Sequence, residues 1–151
     1  MEGEVGITTT VPVEILLAAG RRPVDLNNRF LAAPDPAALV REAEELGLAR
    51  TLCAWIKGIY AWALAHPEVE EVVAVTQGDC SNTHALIELL SLAGRRVIPF
   101  DFPYGRQPAA LSRELERLAR ALGAELAEAE RWRRRLAPLR QIGRASCRER
   151  V

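Results

Sequence analysis

An α/β fold built on a parallel sheet with flanking helices, followed by a long amphipathic helix, is predicted by three features of this 151-residue chain. Apolar, β-branched runs alternate with segments of helical periodicity up to about Asp101. One run, Val72-Val73-Ala74-Val75, is apolar at every position, as a strand covered on both faces must be. The segment from Pro108 to about Arg135 then places Leu111, Leu115, Leu118, Leu122 and Leu126 three or four apart, which gives a helix with one buried stripe.

Taken in order, Val5-Gly6-Ile7-Thr8-Thr9-Thr10 reads as a short strand running into a threonine loop, and about Val11 to Ala19 as a helix with Pro12 in its first turn and Gly20 closing it. Arg22-Pro23-Val24-Asp25-Leu26 reads as a second strand, ended by Asn27-Asn28. Asp35, Pro36 and Gly47 bracket a helix with an acidic N-cap, a proline at the first position and a terminal glycine. A further helix spans about Leu52 to Ala65 and stops before Pro67, because the residue preceding proline is driven from helical geometry. Glu70 to Thr76 forms the third strand, Thr83 to Leu92 a helix, and Arg96 to Asp101 the fourth strand.

Composition narrows the function. A hydrophobic fraction of 49% suffices for one packed domain. Twenty basic and twenty acidic residues cancel, so no global field draws the chain to nucleic acid or to an anionic membrane. Nineteen of the basic residues are arginine, a bias that reflects a GC-rich genome more often than a phosphate-binding surface. The run Arg131, Arg133, Arg134, Arg135 reads as a solvated helix face. Cys53, Cys80 and Cys147 form no C-x-x-C pair, which argues against a disulfide scaffold. An acidic start and an apolar run broken by Pro12 and Glu14 fit neither a signal peptide nor a membrane anchor, so a soluble cytoplasmic protein is expected.

Chemistry concentrates on Gly78-Asp79-Cys80-Ser81-Asn82-Thr83, which joins a buried strand to a helix at the carboxyl edge of the sheet, where α/β proteins place their sites. Cys53 lies near the start of one helix and Cys80 at the start of another. Free backbone N–H groups and the positive dipole end favour a thiolate at such positions, and two thiolates on adjacent loops could share a metal or cluster. Buried cysteines equally serve as small hydrophobes. His84, four residues after Cys80, is a mixed-ligand candidate or a hydrogen-bonding group, and Glu88 one turn on is its partner or a solvated acid. Asp79, Ser81, Asn82 and Thr83 are cap residues whose side chains could also receive an anion or stabilise sulfur, and Thr8, Thr9 and Thr10 could either finish a strand or donate to a ligand.

Five blocks carry a resemblance: Gly6-Ile7-Thr8-Thr9-Thr10-Val11-Pro12-Val13-Glu14, Pro23-Val24-Asp25-Leu26-Asn27-Asn28-Arg29-Phe30, Cys53-Ala54-Trp55-Ile56-Lys57-Gly58-Ile59-Tyr60, Gly78-Asp79-Cys80-Ser81-Asn82-Thr83 and Val97-Ile98-Pro99-Phe100-Asp101-Phe102-Pro103-Tyr104. In this order they resemble the 2-hydroxyacyl-CoA dehydratase family, in its 2-hydroxyglutaryl-CoA dehydratase D-component branch. The resemblance implies Rossmann-like lobes holding a 4Fe-4S cluster on three cysteines, of which Cys53 and Cys80 match the first two. It further implies an acyl-CoA substrate and an ATP-dependent activator that injects one electron. It also implies a homologous subunit or second copy as partner, and water loss through a ketyl radical anion of the substrate. Thr8, Thr9, Thr10, Ser81 and Asn82 are then candidates for contacts to cluster or substrate.

The last ten residues, Ile142 to Val151, match the in-frame translation of a common sequencing adapter. The expected organisation is therefore an amino-terminal lobe at 1–106, a helical segment at 107–141 and a foreign tail at 142–151, with the third cluster cysteine in a carboxyl-terminal lobe beyond it. Two other readings compete: a double-cubane-type ATP-driven reductase or electron-transfer protein of the same family, and a cluster-free flavodoxin-like binding module with two core cysteines.

Overall fold

The computed structural model describes residues 3–105 and 107–148, with side chains through Arg140; Arg106, the side chain of Cys147 and the end of the adapter-like tail lie outside the described residues. Four strands, β1 Glu4–Ile7, β2 Arg22–Asp25, β3 Glu71–Gln77 and β4 Arg96–Asp101, form one all-parallel sheet in the order β2-β1-β3-β4. Helix α1 (Val13–Ala18) links β1 to β2; α2 (Leu26–Leu31), α3 (Pro36–Glu45) and α4 (Ala54–Ala65) link β2 to β3; α5 (Asn82–Leu92) links β3 to β4. Two more, α6 (Pro108–Leu122) and α7 (Leu126–Arg148), follow the sheet.

The sheet is covered on both sides, and the period of two along each strand sorts its residues between two cores. Val5, Ile7, Val73, Val75, Ile98 and Phe100 pack with Ile15 and Leu16 of α1, Leu118 and Leu122 of α6 and Ala129 of α7. Val24 and Val72 face the other way, against Phe30 of α2, Ile56, Ile59 and Trp62 of α4, and Leu86 and Leu90 of α5. Each fully buried branched side chain contributes about 1.5–3 kcal/mol. Pro23 and Pro99, which would break a ladder inside a sheet, sit in β2 and β4, the two edge strands.

Alternation, the parallel sheet and the flanking helices are as expected, and three local readings are corrected. The extended stretch expected through Leu26 ends at Asp25, and Leu26–Leu31 is helical. Asp25 causes the change: its carboxylate accepts the backbone N–H groups of Asn27 at 3.0 Å and Asn28 at 3.1 Å, an N-cap at the strand end. The single long helix expected from Pro108 is two helices. Gly123 stands between them in the left-handed region at φ 70°, where its N–H and that of Ala124 satisfy carbonyls of α6. Within the leucine stripe, Leu118 and Leu122 are buried, whereas Leu111 and Leu126 at its ends are exposed.

The arginine run of α7 is the solvated face expected of it. Arg131 pairs with Glu128, Arg133 and Arg134 pair with Glu130, and Arg135 lies 4.4 Å over the Trp132 ring. Among the described residues no helix is long and apolar enough to cross a membrane.

Candidate functional site

Chain direction decides where a cleft can form. Helix α1, after β1, packs on one face of the sheet, and α5, after β3, packs on the other. The two strands are neighbours, so their continuations diverge and leave a crevice outside their carboxyl ends. A cleft of about 420 Å³ occupies that crevice. Thr8 and Thr9 enter it from the end of β1, Asp79, Cys80 and Thr83 from the end of β3 and the start of α5, and Cys53 and Trp55 from the start of α4. Ile59 and Leu86, both sealed from solvent, contribute apolar wall.

Both cysteines stand at helix starts. Cys53 is the N-cap residue of α4, makes no capping hydrogen bond through its side chain and is half-buried. Cys80 immediately precedes Ser81, the N-cap of α5, and is exposed; its carbonyl accepts the Thr83 N–H at 3.0 Å. The amide of Asn82 donates to Cys80 Sγ at 3.5 Å. Both thiols are free of disulfide bonding.

The cysteine loop is fixed from the β4 side. Gly78 adopts φ 96°, a left-handed conformation, and a Cβ there would lie 2.9 Å from Phe102 Cβ. Asp101 accepts the Gln77 N–H at 3.0 Å and the Thr76 hydroxyl, and the Phe102 N–H donates to the Gln77 carbonyl at 2.8 Å. These bonds stop β3 at the glycine and launch the loop toward α4.

Asn27 fixes the opposite wall. Its amide nitrogen donates to the Thr8 carbonyl at 2.6 Å, and its oxygen accepts the indole N–H of Trp55. Trp55 in turn stands edge-on to Phe30, with ring centroids 5.7 Å apart. Asn27 therefore ties the end of β1 to the start of α4, the element that carries Cys53. Sequence reading took Asn27 only as a strand terminator and Trp55 only as a helix residue. The signal for both was present in Asp25-Leu26-Asn27-Asn28, an acid and two amides placed directly after a strand.

Of the residues anticipated from sequence, Thr8, Thr9, Cys53 and Cys80 line the cleft together. Thr10 and Ser81 are exposed outside it, and Asn82 reaches it only through its bond to the Cys80 sulfur. His84 and Glu88 are exposed and line no part of it. Thiols are donors suited to an iron–sulfur centre, so Cys53 and Cys80 fit two of its corners. Among the described residues, no three His, Cys, Asp or Glu side chains gather into a group that could hold a metal ion.

A family model described as 2-hydroxyglutaryl-CoA dehydratase, D-component, matches residues 8–136. No curated protein and no solved structure matches the chain closely enough to be set beside it. The matched span opens at Thr8, on the wall of the cleft, takes in both cysteines and the strands β2 to β4, and ends within α7. From the cleft to the last helix, the chain belongs to the 2-hydroxyglutaryl-CoA dehydratase D-component family.

Proposed function

We propose that the chain is the cluster-binding part of a 2-hydroxyacyl-CoA dehydratase, with Cys53 and Cys80 as two ligands of a 4Fe-4S cluster seated in the cleft at the switch point. One observation carries the reading: two cysteines free of disulfide bonding line the same crevice, in a chain of the dehydratase family. When bound, such a cluster supplies single electrons to an acyl-CoA thioester. The protein's own share is positional. Ile56, Ile59 and Leu86 give the crevice an apolar lining, Asn82 directs an N–H at the Cys80 sulfur, and Asn27 holds the wall from which Cys53 projects. Thr8 and Thr9 are contacts for cluster or substrate on the β1 side.

The third ligand, in this proposal, comes from a carboxyl-terminal lobe encoded past Gln141, and residues 142–151 are a foreign tail. Residues 1–151 alone then hold a cluster poorly and are inactive. The D-component description points to a multi-component enzyme, so a homologous subunit and an ATP-dependent activator are the proposed partners and an acyl-CoA the substrate, in the cytoplasm. The test is an anaerobic assay of the full-length protein with activator, ATP and a 2-hydroxyacyl-CoA. Substrate-dependent loss of water is the expected result. ATP-driven reduction of another small molecule without water loss would move the reading to a double-cubane-type reductase of the same family, and no iron after reconstitution would return it to a flavodoxin-like binding module.

A further inference from the structure

A second cavity, of about 550 Å³, lies past the carboxyl end of β4 and is lined by Phe102, Pro103, Tyr104, Gln107, Pro108 and Leu111. Its size is that of a small-molecule pocket. Apolar side chains make most of the lining, and among the described residues none that lines it is charged. The walls are set before any ligand arrives. Pro103 and Pro108 have fixed φ angles, Phe102 stands edge-on to Phe100 with ring centroids 5.0 Å apart, and the Phe102 N–H donates to the Gln77 carbonyl at 2.8 Å. The Gln77 side-chain oxygen accepts the Tyr104 N–H at 3.2 Å. The cavity nevertheless faces water: Tyr104 is 74% exposed and Leu111 36%, so apolar area remains that an apolar ligand would cover. Gln107, whose side chain makes no capping bond to α6, adds one amide to the wall.

Position ties this cavity to the cleft. Strands β3 and β4 are neighbours, and α5 after β3 and α6 after β4 pack on opposite faces of the sheet, so their continuations diverge as those of β1 and β3 do. Gln77 and Gly78, which lead into the cysteine loop, are the residues that hold Tyr104 and abut Phe102. The loop therefore has the cleft on one side and the walls of this cavity on the other. We propose that the cavity takes the acyl side chain of the substrate, and that this side chain is uncharged and apolar, aliphatic or aromatic. The proposal rests on the acyl-CoA reading above and is independent of the cluster. It departs from the glutaryl group in the family's description, which ends in a carboxylate. A carboxylate here would lose hydration with no cation among the described lining residues to replace it, whereas each apolar carbon removed from water gains. Leu111, on the wall contributed by α6, is then a residue that determines specificity.

The test is calorimetric binding of hexanoyl-CoA, phenylacetyl-CoA, glutaryl-CoA and free coenzyme A to the full-length, iron-free protein; none of these carries the hydroxyl group that the reaction removes. Hexanoyl-CoA and phenylacetyl-CoA are expected to bind at least ~tenfold more tightly than glutaryl-CoA. Two variants locate the preference. Leu111→Asp puts a charge on the wall at the first turn of α6, where an acid suits the helix, and Leu111→Trp fills the cavity. Both are expected to melt near the wild-type temperature, to lose the preference for the apolar thioesters and to keep the wild-type affinity for free coenzyme A. Glutaryl-CoA binding as tightly as hexanoyl-CoA, or a preference that survives in both variants, would overturn the proposal and leave the acyl-CoA reading standing. A wild-type protein that binds none of the thioesters would overturn both.

Discussion

Gly58 is the position where a single missing methyl group sets the geometry around the cleft. It lies in the middle of α4, and a Cβ there would come within 2.1 Å of Phe30 Cε2. Phe30 occupies that space and meets Trp55, which bonds to Asn27. Glycine inside a helix costs about 0.5–1 kcal/mol relative to alanine, so close approach of the ring is what the position gains in exchange. Gly58→Ala should destabilise the fold by about 1–3 kcal/mol through overpacking, as read by urea unfolding. Adding Phe30→Leu should recover part of the loss, because the two residues share one volume and their effects are not additive. Additive losses would mean that α4 shifts rather than clashes.

Elements are joined by two devices, one readable from sequence and one hidden from it. Gly123 was visible as a glycine but was passed over, because leucine spacing continues across it to Leu126. Periodicity reports which face is buried and not where the axis turns. Its φ of 70° predicts that Gly123→Ala costs about 1–2 kcal/mol, measured by thermal or urea unfolding, with no loss of helix content in α6. Lys57, the one lysine, was legible only as a polar residue in an apolar helix. It is buried, its Nζ lies 2.5 Å from Glu44 of α3, and it donates to the Arg50 carbonyl at 3.2 Å. Such a pairing joins residues that no local pattern connects. The hydrogen bond from Lys57 holds the Glu44 carboxyl below its usual value of 4.5, aided by the charges of Lys57 and Arg50 and opposed by desolvation. A depressed carboxylate pKa adds stability that is fully present above the unfolded value and is lost as pH falls through the folded one. Stability should thus decline as pH drops below about 4.5, and Glu44→Gln should flatten that decline. At neutral pH Glu44→Gln should destabilise more than Lys57→Met, since it strands a buried ammonium while the reverse change leaves a carboxylate that water reaches. Equal losses would show that the pair's charge is immaterial.

At the scale of the whole molecule, the order β2-β1-β3-β4 is what makes the site. Sequence alternation revealed the parallel sheet and the placement of Cys80 at a strand end, since a buried strand that breaks at Gly78 can lead nowhere else. It could not reveal that β1 and β3 are neighbours, because that adjacency arises from the crossover of three helices between β2 and β3. Without it Thr8, Cys53 and Cys80 would not have met, and Asn27 and Trp55 could not have been recognised as wall residues. The acidic limb of stability also has a surface contribution: Arg133 and Arg134 hold the Glu130 carboxyl at about 2, so α7 keeps these ion pairs well below the pH at which a free glutamate protonates. The central claim, that Cys53 and Cys80 bind one shared cluster, is tested most directly by iron and sulfide content after anaerobic reconstitution of the full-length protein. Wild type should load a cluster, and Cys53→Ser and Cys80→Ser should each lose most of it while remaining folded by circular dichroism. Full iron and sulfide content in either single variant would contradict the claim.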